Sequence, residues 1–100
     1  MPDQFEVEIT RDLRRELRAI YNFISKDSPQ NASKMIVELL DAIEGLEFLP
    51  HRFAVPRSRY SRGRNIRAMP VWPYVVRYRI VEKQKRILVM HVWHGSRRKP

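Results

Sequence analysis

The sequence predicts an α+β domain in which a helical hairpin packs on one face of a mainly antiparallel sheet, in the order β-α-α-β-β-β. Three features point there. An alternating segment opens the chain, two stretches with helical apolar spacing follow, and three β-rich runs separated by prolines, a polar turn and glycine fill the second half. With 43% hydrophobic and 10% aromatic residues, the chain can build the core of a single domain over residues 1–100.

The elements follow in order. Phe5 to Ile9 alternates apolar and acidic residues, as a half-buried strand does. Thr10 is placed to cap a helix whose stripe is Leu13, Leu17, Ile20, Tyr21 and Ile24. Asp27-Ser28-Pro29 then supplies a second cap with proline at the first helical position. The second helix runs to about Phe48, with Ala32, Ile36, Leu39, Leu40, Ile43 and Leu46 on one face. Pro50, Pro56 and Gly63 bracket an irregular arginine-rich connector over about residues 49–63.

Asn65 to Met69 is a short strand ended by Pro70 and Pro73. In Tyr74 to Val81, the residues Tyr74, Val76, Tyr78 and Ile80 point one way, and Val75, Arg77, Arg79 and Val81 the other. Glu82 to Lys85 is a polar turn. Arg86 to Trp93 is apolar on both faces, which makes it a central strand, and Gly95 ends it as a positive-φ stop. The sheet face away from the helices is expected to present Arg77, Arg79 and Arg67.

Charge is segregated along the chain. Residues 1–50 hold six Lys/Arg and ten Asp/Glu, a net of −4, whereas residues 51–100 hold fourteen Lys/Arg and only Glu82, a net of +13. Solubility alone does not require such segregation. It produces a field that draws in a polyanion or an acidic protein. The chain has no cysteine, hence no disulfide framework and no thiolate chemistry. No apolar run approaches the about 18 residues of a membrane span, and the first twenty residues lack a signal-peptide core. A cytoplasmic protein without a membrane partner is expected.

Particular residues carry a resemblance. Asp12-Leu13 opens the first helix, Tyr21-x-x-Ile24 lies within it, and Ser28-Pro29 with Ala32 marks the break. Ala42-Ile43-x-x-Leu46 precedes Pro50, and Tyr74 to Ile80 and Val89-x-His91-Val92-x-His94-Gly95-Ser96-Arg97 follow. Over nearly its whole length the chain resembles the ParE/RelE superfamily of type II toxin–antitoxin toxins. The resemblance implies an acidic cognate antitoxin, a hetero-oligomer with it, no cofactor and no bound metal. It also implies one of two targets, since RelE-like members cleave messenger RNA on the ribosome and ParE-like members poison DNA gyrase.

The residues favour the second. Cleavage of RNA by in-line attack needs a base, an acid and cations at the phosphate. Glu82 is the only acid of the sheet half and is placed in a turn. RelE-like nucleases typically carry arginine directly after the third-strand tyrosine, where this chain has Val75. Tyr78-Arg79 and His94-Gly95-Ser96-Arg97 fit the ParE-like form. The expected target contacts are therefore His94, Arg97 and Arg98, then Arg77, Arg79 and Arg67, with no catalytic residue. The alternative is a ribosome-dependent endoribonuclease using His91 or His94 with Arg67 and Arg77. Leu13, Leu17, Ile20, Ile36 and Leu40 are the expected antitoxin contacts on the helical hairpin. Tyr74 and Tyr78 read as core residues, and Trp72 and Trp93 as packing residues. His91 and His94, three apart on one strand, fall on opposite faces and make no metal site.

Overall fold

The computed structural model describes residues 4–55 and 63–97. Its elements are β1 (Glu6–Ile9), α1 (Arg11–Ser25), α2 (Pro29–Gly45), β2 (Ile66–Val71), β3 (Tyr74–Val81) and β4 (Arg86–His94), the predicted order. The four strands form one sheet in the order β1-β4-β3-β2. β1 runs parallel to β4, and the other two pairings are antiparallel, so β4 is central as its apolar faces require. Pro56 and the middle of the connector, together with Arg98, lie outside the described residues.

Both helices start where local chemistry places them. The Leu13 amide donates to the Thr10 hydroxyl oxygen at 3.2 Å, and that hydroxyl donates to the Met90 carbonyl at 3.1 Å. One side chain thus caps α1 and fastens it to β4. Asn31 N–H donates to Ser28 Oγ at 3.2 Å, with Pro29 in the first turn. α2 ends at Gly45, earlier than its apolar pattern suggests. Leu46 and Glu47 close a tightened turn onto Ile43 and Glu44, and the Glu47 carbonyl then accepts from Phe5 N–H. The chain leaves the helix there to meet β1.

The core lies between the hairpin and one sheet face. Leu13, Leu39, Ile43 and Leu46 pack with Val76, Tyr78, Ile80, Ile87 and Val89. Each such side chain contributes roughly 1.5–3 kcal/mol relative to an exposed one. Pro70, expected to end β2, instead lies inside it, paired with Val75. β2 is an edge strand, so a residue without an N–H is accommodated on its unpaired side.

The β3–β4 ladder carries a bulge. Arg77 pairs with His91 but Tyr78 pairs with Val89, leaving Met90 without an opposite residue. The shift places Val89 and Val92, three apart, on the buried face of the sheet. Gly95 corrects another expectation, because it is not among the positive-φ residues, which among the described residues are Gly63, Asn65 and Lys85. Close approach explains it instead. Gly95 N–H donates to the Pro73 carbonyl at 2.7 Å, and a Cβ on Gly95 would sit 3.2 Å from that oxygen. No helix among the described residues is long and apolar enough to cross a membrane.

Candidate functional site

The β2–β3 turn and the segment after β4 meet at one end of the sheet. Tyr74 pairs with His94, and their rings meet edge to face at 5.5 Å. The next three residues fold back in a tight turn. Ser96 N–H donates to His94 Nδ1 at 3.2 Å, the Ser96 hydroxyl lies 2.7 Å from the same nitrogen, and Arg97 N–H donates to the His94 carbonyl at 2.9 Å. As Nδ1 accepts from an amide, the neutral ring carries its proton on Nε2. Together with the Gly95–Pro73 bond, these contacts hold Arg97 at the surface.

Between this turn and α1 runs a groove of about 480 Å³, with Glu16, Ile20 and Phe23 on one side and Tyr74, His94 and Arg97 on the other. Burial raises the Tyr74 phenol above its usual pKa, and the nearby Arg97 charge opposes that rise. The groove is mainly apolar, and its lining includes one acid, Glu16, and one cation, Arg97.

The open face of the sheet presents Arg77 and Arg79, as expected. The Arg77 guanidinium lies 5.1 Å from the Trp93 ring centroid, so the tryptophan packs beneath a cation. Arg79 is exposed, and Arg86 is paired with Glu8. Arg67 does not join them. Its register partner is Tyr78, which places it on the helix side, and its guanidinium donates to the Phe53 carbonyl at 2.7 Å, the His51 carbonyl at 3.1 Å and Asn65 Oδ1 at 3.2 Å. It ties the connector to the sheet.

His91 and His94 pair with Arg77 and Tyr74, on opposite faces of the sheet. His91 Nδ1 lies 3.1 Å from one Glu16 carboxylate oxygen, while the other oxygen accepts from Val92 N–H at 3.0 Å. Glu16 thereby covers the edge of β4 beyond the reach of β1. The four residues of the nuclease alternative, His91, His94, Arg67 and Arg77, are thus divided between two faces and different partners.

Of the expected antitoxin contacts, Leu13 is fully buried and offers no surface. Leu17, Ile20 and Ile36 are half-buried against the core, and Leu40 is exposed. Sequence reasoning missed two features. Glu82 bonds the His51 ring, and that hydrogen bond is the main reason its carboxyl is held below the usual range. Their separation of 31 positions hides the pair from any local pattern. Trp72, expected to pack, is 83% exposed. Among the described residues, no group of three or more His, Asp or Glu could hold a metal ion.

A family model described as the ParE toxin of the type II toxin–antitoxin system parDE matches residues 7–99. No curated protein matches the chain. Among solved structures, the chain is similar to one from the chromosomal ParDE toxin–antitoxin system of P. aeruginosa. The TM-score is 0.72 and the identity 19%, covering 92% of this chain and 97% of that one. It is also similar to a chain of the RelBE2 toxin–antitoxin complex of Mycobacterium tuberculosis, with a TM-score of 0.63, 22% identity, and coverage of 91% and 98%. A chain of the archaeal RelE–RelB complex of Pyrococcus horikoshii OT3 gives a TM-score of 0.66 at 16% identity, with coverage of 95% and 99%. At these identities the likeness to the three structures is one of fold.

Proposed function

The chain belongs to the ParE toxin family of type II toxin–antitoxin systems, and on that premise we propose that it inhibits growth by poisoning DNA gyrase, without itself being an enzyme. The observation that carries this reading is the pinned turn at the end of the sheet. Three backbone-donated bonds hold Gly95, Ser96 and Arg97 against His94 and Pro73, and Arg97 is left exposed. A basic segment on a firm base suits binding to a protein–DNA complex, where cations meet phosphates already exposed. Arg77 and Arg79 extend the positive surface over the open sheet face.

The nuclease alternative receives less support. It needs His91 or His94 to act with Arg67 and Arg77 on one phosphate, and these side chains lie on two faces of the sheet, with Arg67 bound to connector carbonyls. A cognate antitoxin is the second partner in this reading, as in the ParDE and RelBE systems that share the fold. The apolar groove lined by Ile20 and Phe23, together with exposed Leu40 on α2, suits an amphipathic segment.

Purified toxin incubated with gyrase, ATP and supercoiled plasmid tests the proposal. Linear DNA released by detergent and protease, rising with toxin and suppressed by antitoxin, is the expected result. Unchanged plasmid, together with new transcript ends in induced cells that disappear in His91→Ala, would replace it with the nuclease reading.

A further inference from the structure

Trp72 is the most exposed large apolar side chain among the described residues, at 83%, whereas the other tryptophan, Trp93, is 8% exposed. Isolated exposed apolar residues are ordinary on protein surfaces. What distinguishes Trp72 is its support and its company. It sits in the two-residue turn between Val71 and Tyr74, which pair across the β2–β3 ladder. The neighbouring Pro73 carbonyl accepts from Gly95 N–H at 2.7 Å, so the turn is braced from the C-terminal side as well as by its own hairpin. The backbone that carries the indole is therefore fixed before anything binds.

Its company is cationic. Arg97 follows Gly95 by two residues and is exposed, and its charge is felt at the Tyr74 phenol, two residues beyond Trp72. The half of the chain that holds both residues carries a net charge of +13. The Gly95–Pro73 bond brings the two segments to one end of the sheet, and an outward aromatic with a cation at one end of a fold is a pairing that binds unpaired nucleic acid, because every base offers a π-face and every linkage a phosphate. An acidic protein would also answer the charge and bury the indole, and the titration below separates that outcome from the one proposed.

We propose that Trp72 and Arg97 form a contact for unpaired nucleic acid, with the indole stacking on a base and the guanidinium holding an adjacent phosphate. The proposal deepens the reading of a protein–DNA target and rests on it for its setting, since a broken or opened duplex exposes unpaired bases. Its test needs no gyrase, so the two can fail separately.

The full chain is titrated with fluorescently labelled oligothymidylate and with a labelled duplex of equal length, binding of every variant being read from the anisotropy of the label, while tryptophan emission is followed in the wild type. As Trp93 is buried, solvent-exposed emission reports Trp72. Quenching by the single strand, with weaker binding to the duplex, is expected. Trp72→Ala should weaken single-strand binding about tenfold, and Trp72→Phe should retain most of it. Arg97→Ala should weaken both ligands and lower the salt slope by about one. Thermal melting of each variant shows that folding is intact. Single-strand affinity unchanged in Trp72→Ala overturns the proposal. So does quenching by the antitoxin alone and not by oligonucleotide, which would make Trp72 part of a protein interface. Either outcome leaves the gyrase assay to be judged on its own result.

Discussion

The Tyr78 hydroxyl donates to the Pro50 carbonyl, joining the middle of β3 to the start of the connector inside the core. Tyr78 and Pro50 are both fully buried. A proline carbonyl buried without a donor would cost about 1–3 kcal/mol, so this bond fixes where the chain leaves the helical hairpin. Burial pushes the Tyr78 phenol up to about 12, against the opposing charges of Arg67 and Arg52.

Tyr78 makes stability fall at high pH. The folded pKa lies above the unfolded value near 10, so the folded state holds the proton more firmly. The contribution is complete below pH about 10 and is lost as pH rises towards 12. At about 1.4 kcal/mol per unit, the loss is roughly 2–3 kcal/mol. Urea melts across this range should show the decline in the wild type and a smaller one in Tyr78→Phe, which is itself about 1–3 kcal/mol less stable at neutral pH. Equal slopes in both proteins would assign the decline to other groups.

Arg67 is expected to matter for folding rather than for the target. Arg67→Ala removes donors from the Phe53 and His51 carbonyls and should cost about 1.5–3 kcal/mol in chemical denaturation. Growth inhibition per folded molecule, judged at a temperature where the variant is folded, should be retained. A variant of wild-type stability that is inactive would return Arg67 to the target surface.

Thr10 supplies two bonds at once. Thr10→Ala should destabilise the protein by about 1–2 kcal/mol, and Thr10→Ser, which keeps the hydroxyl, by a fraction of that. Equal losses in the two variants would mean that the methyl group, not the cap, is responsible.

What was legible in the sequence was local or periodic. Thr10 and Ser28 announce their helices because a cap acts over three residues, and Tyr74 to Ile80 announces its faces by alternation. The apolar stripe of α1 correctly orients the helix but cannot separate buried Leu13 from half-buried Ile20. Arg67 was assigned to the wrong face because its side depends on the register against β3, which the β2–β3 turn sets. The bulge at Met90 leaves no compositional trace, since the residues around it suit a strand in either register. At the candidate site, the motif marks the segment His94 to Arg97 but not the way it folds back on itself. The exposure of Trp72 and the brace from Gly95 depend on two segments more than twenty residues apart.

Antitoxin association should be fast and salt-sensitive. The residues 51–100 carry a net +13, and an acidic partner would be steered by that field. Stopped-flow measurements should show the association rate falling several-fold or more between about 50 and 500 mM salt, with a smaller change in dissociation. A rate indifferent to salt would reserve the charge segregation for the target.

In the proposed reading, the basic segment following Gly95 poisons gyrase and is separable from the fold. Arg97 makes one described backbone bond, to the His94 carbonyl, and is exposed. Ending the chain after Ser96 should therefore cost about 1 kcal/mol or less. The decisive measurement is gyrase-dependent plasmid linearisation by the full-length and truncated proteins side by side, each shown to be folded by thermal melting. Linear DNA is expected with the full chain and at least tenfold less with the truncated one, which lacks the three cations Arg97, Arg98 and Lys99. Undiminished linearisation by a folded truncated protein, or none by the full chain, would contradict it.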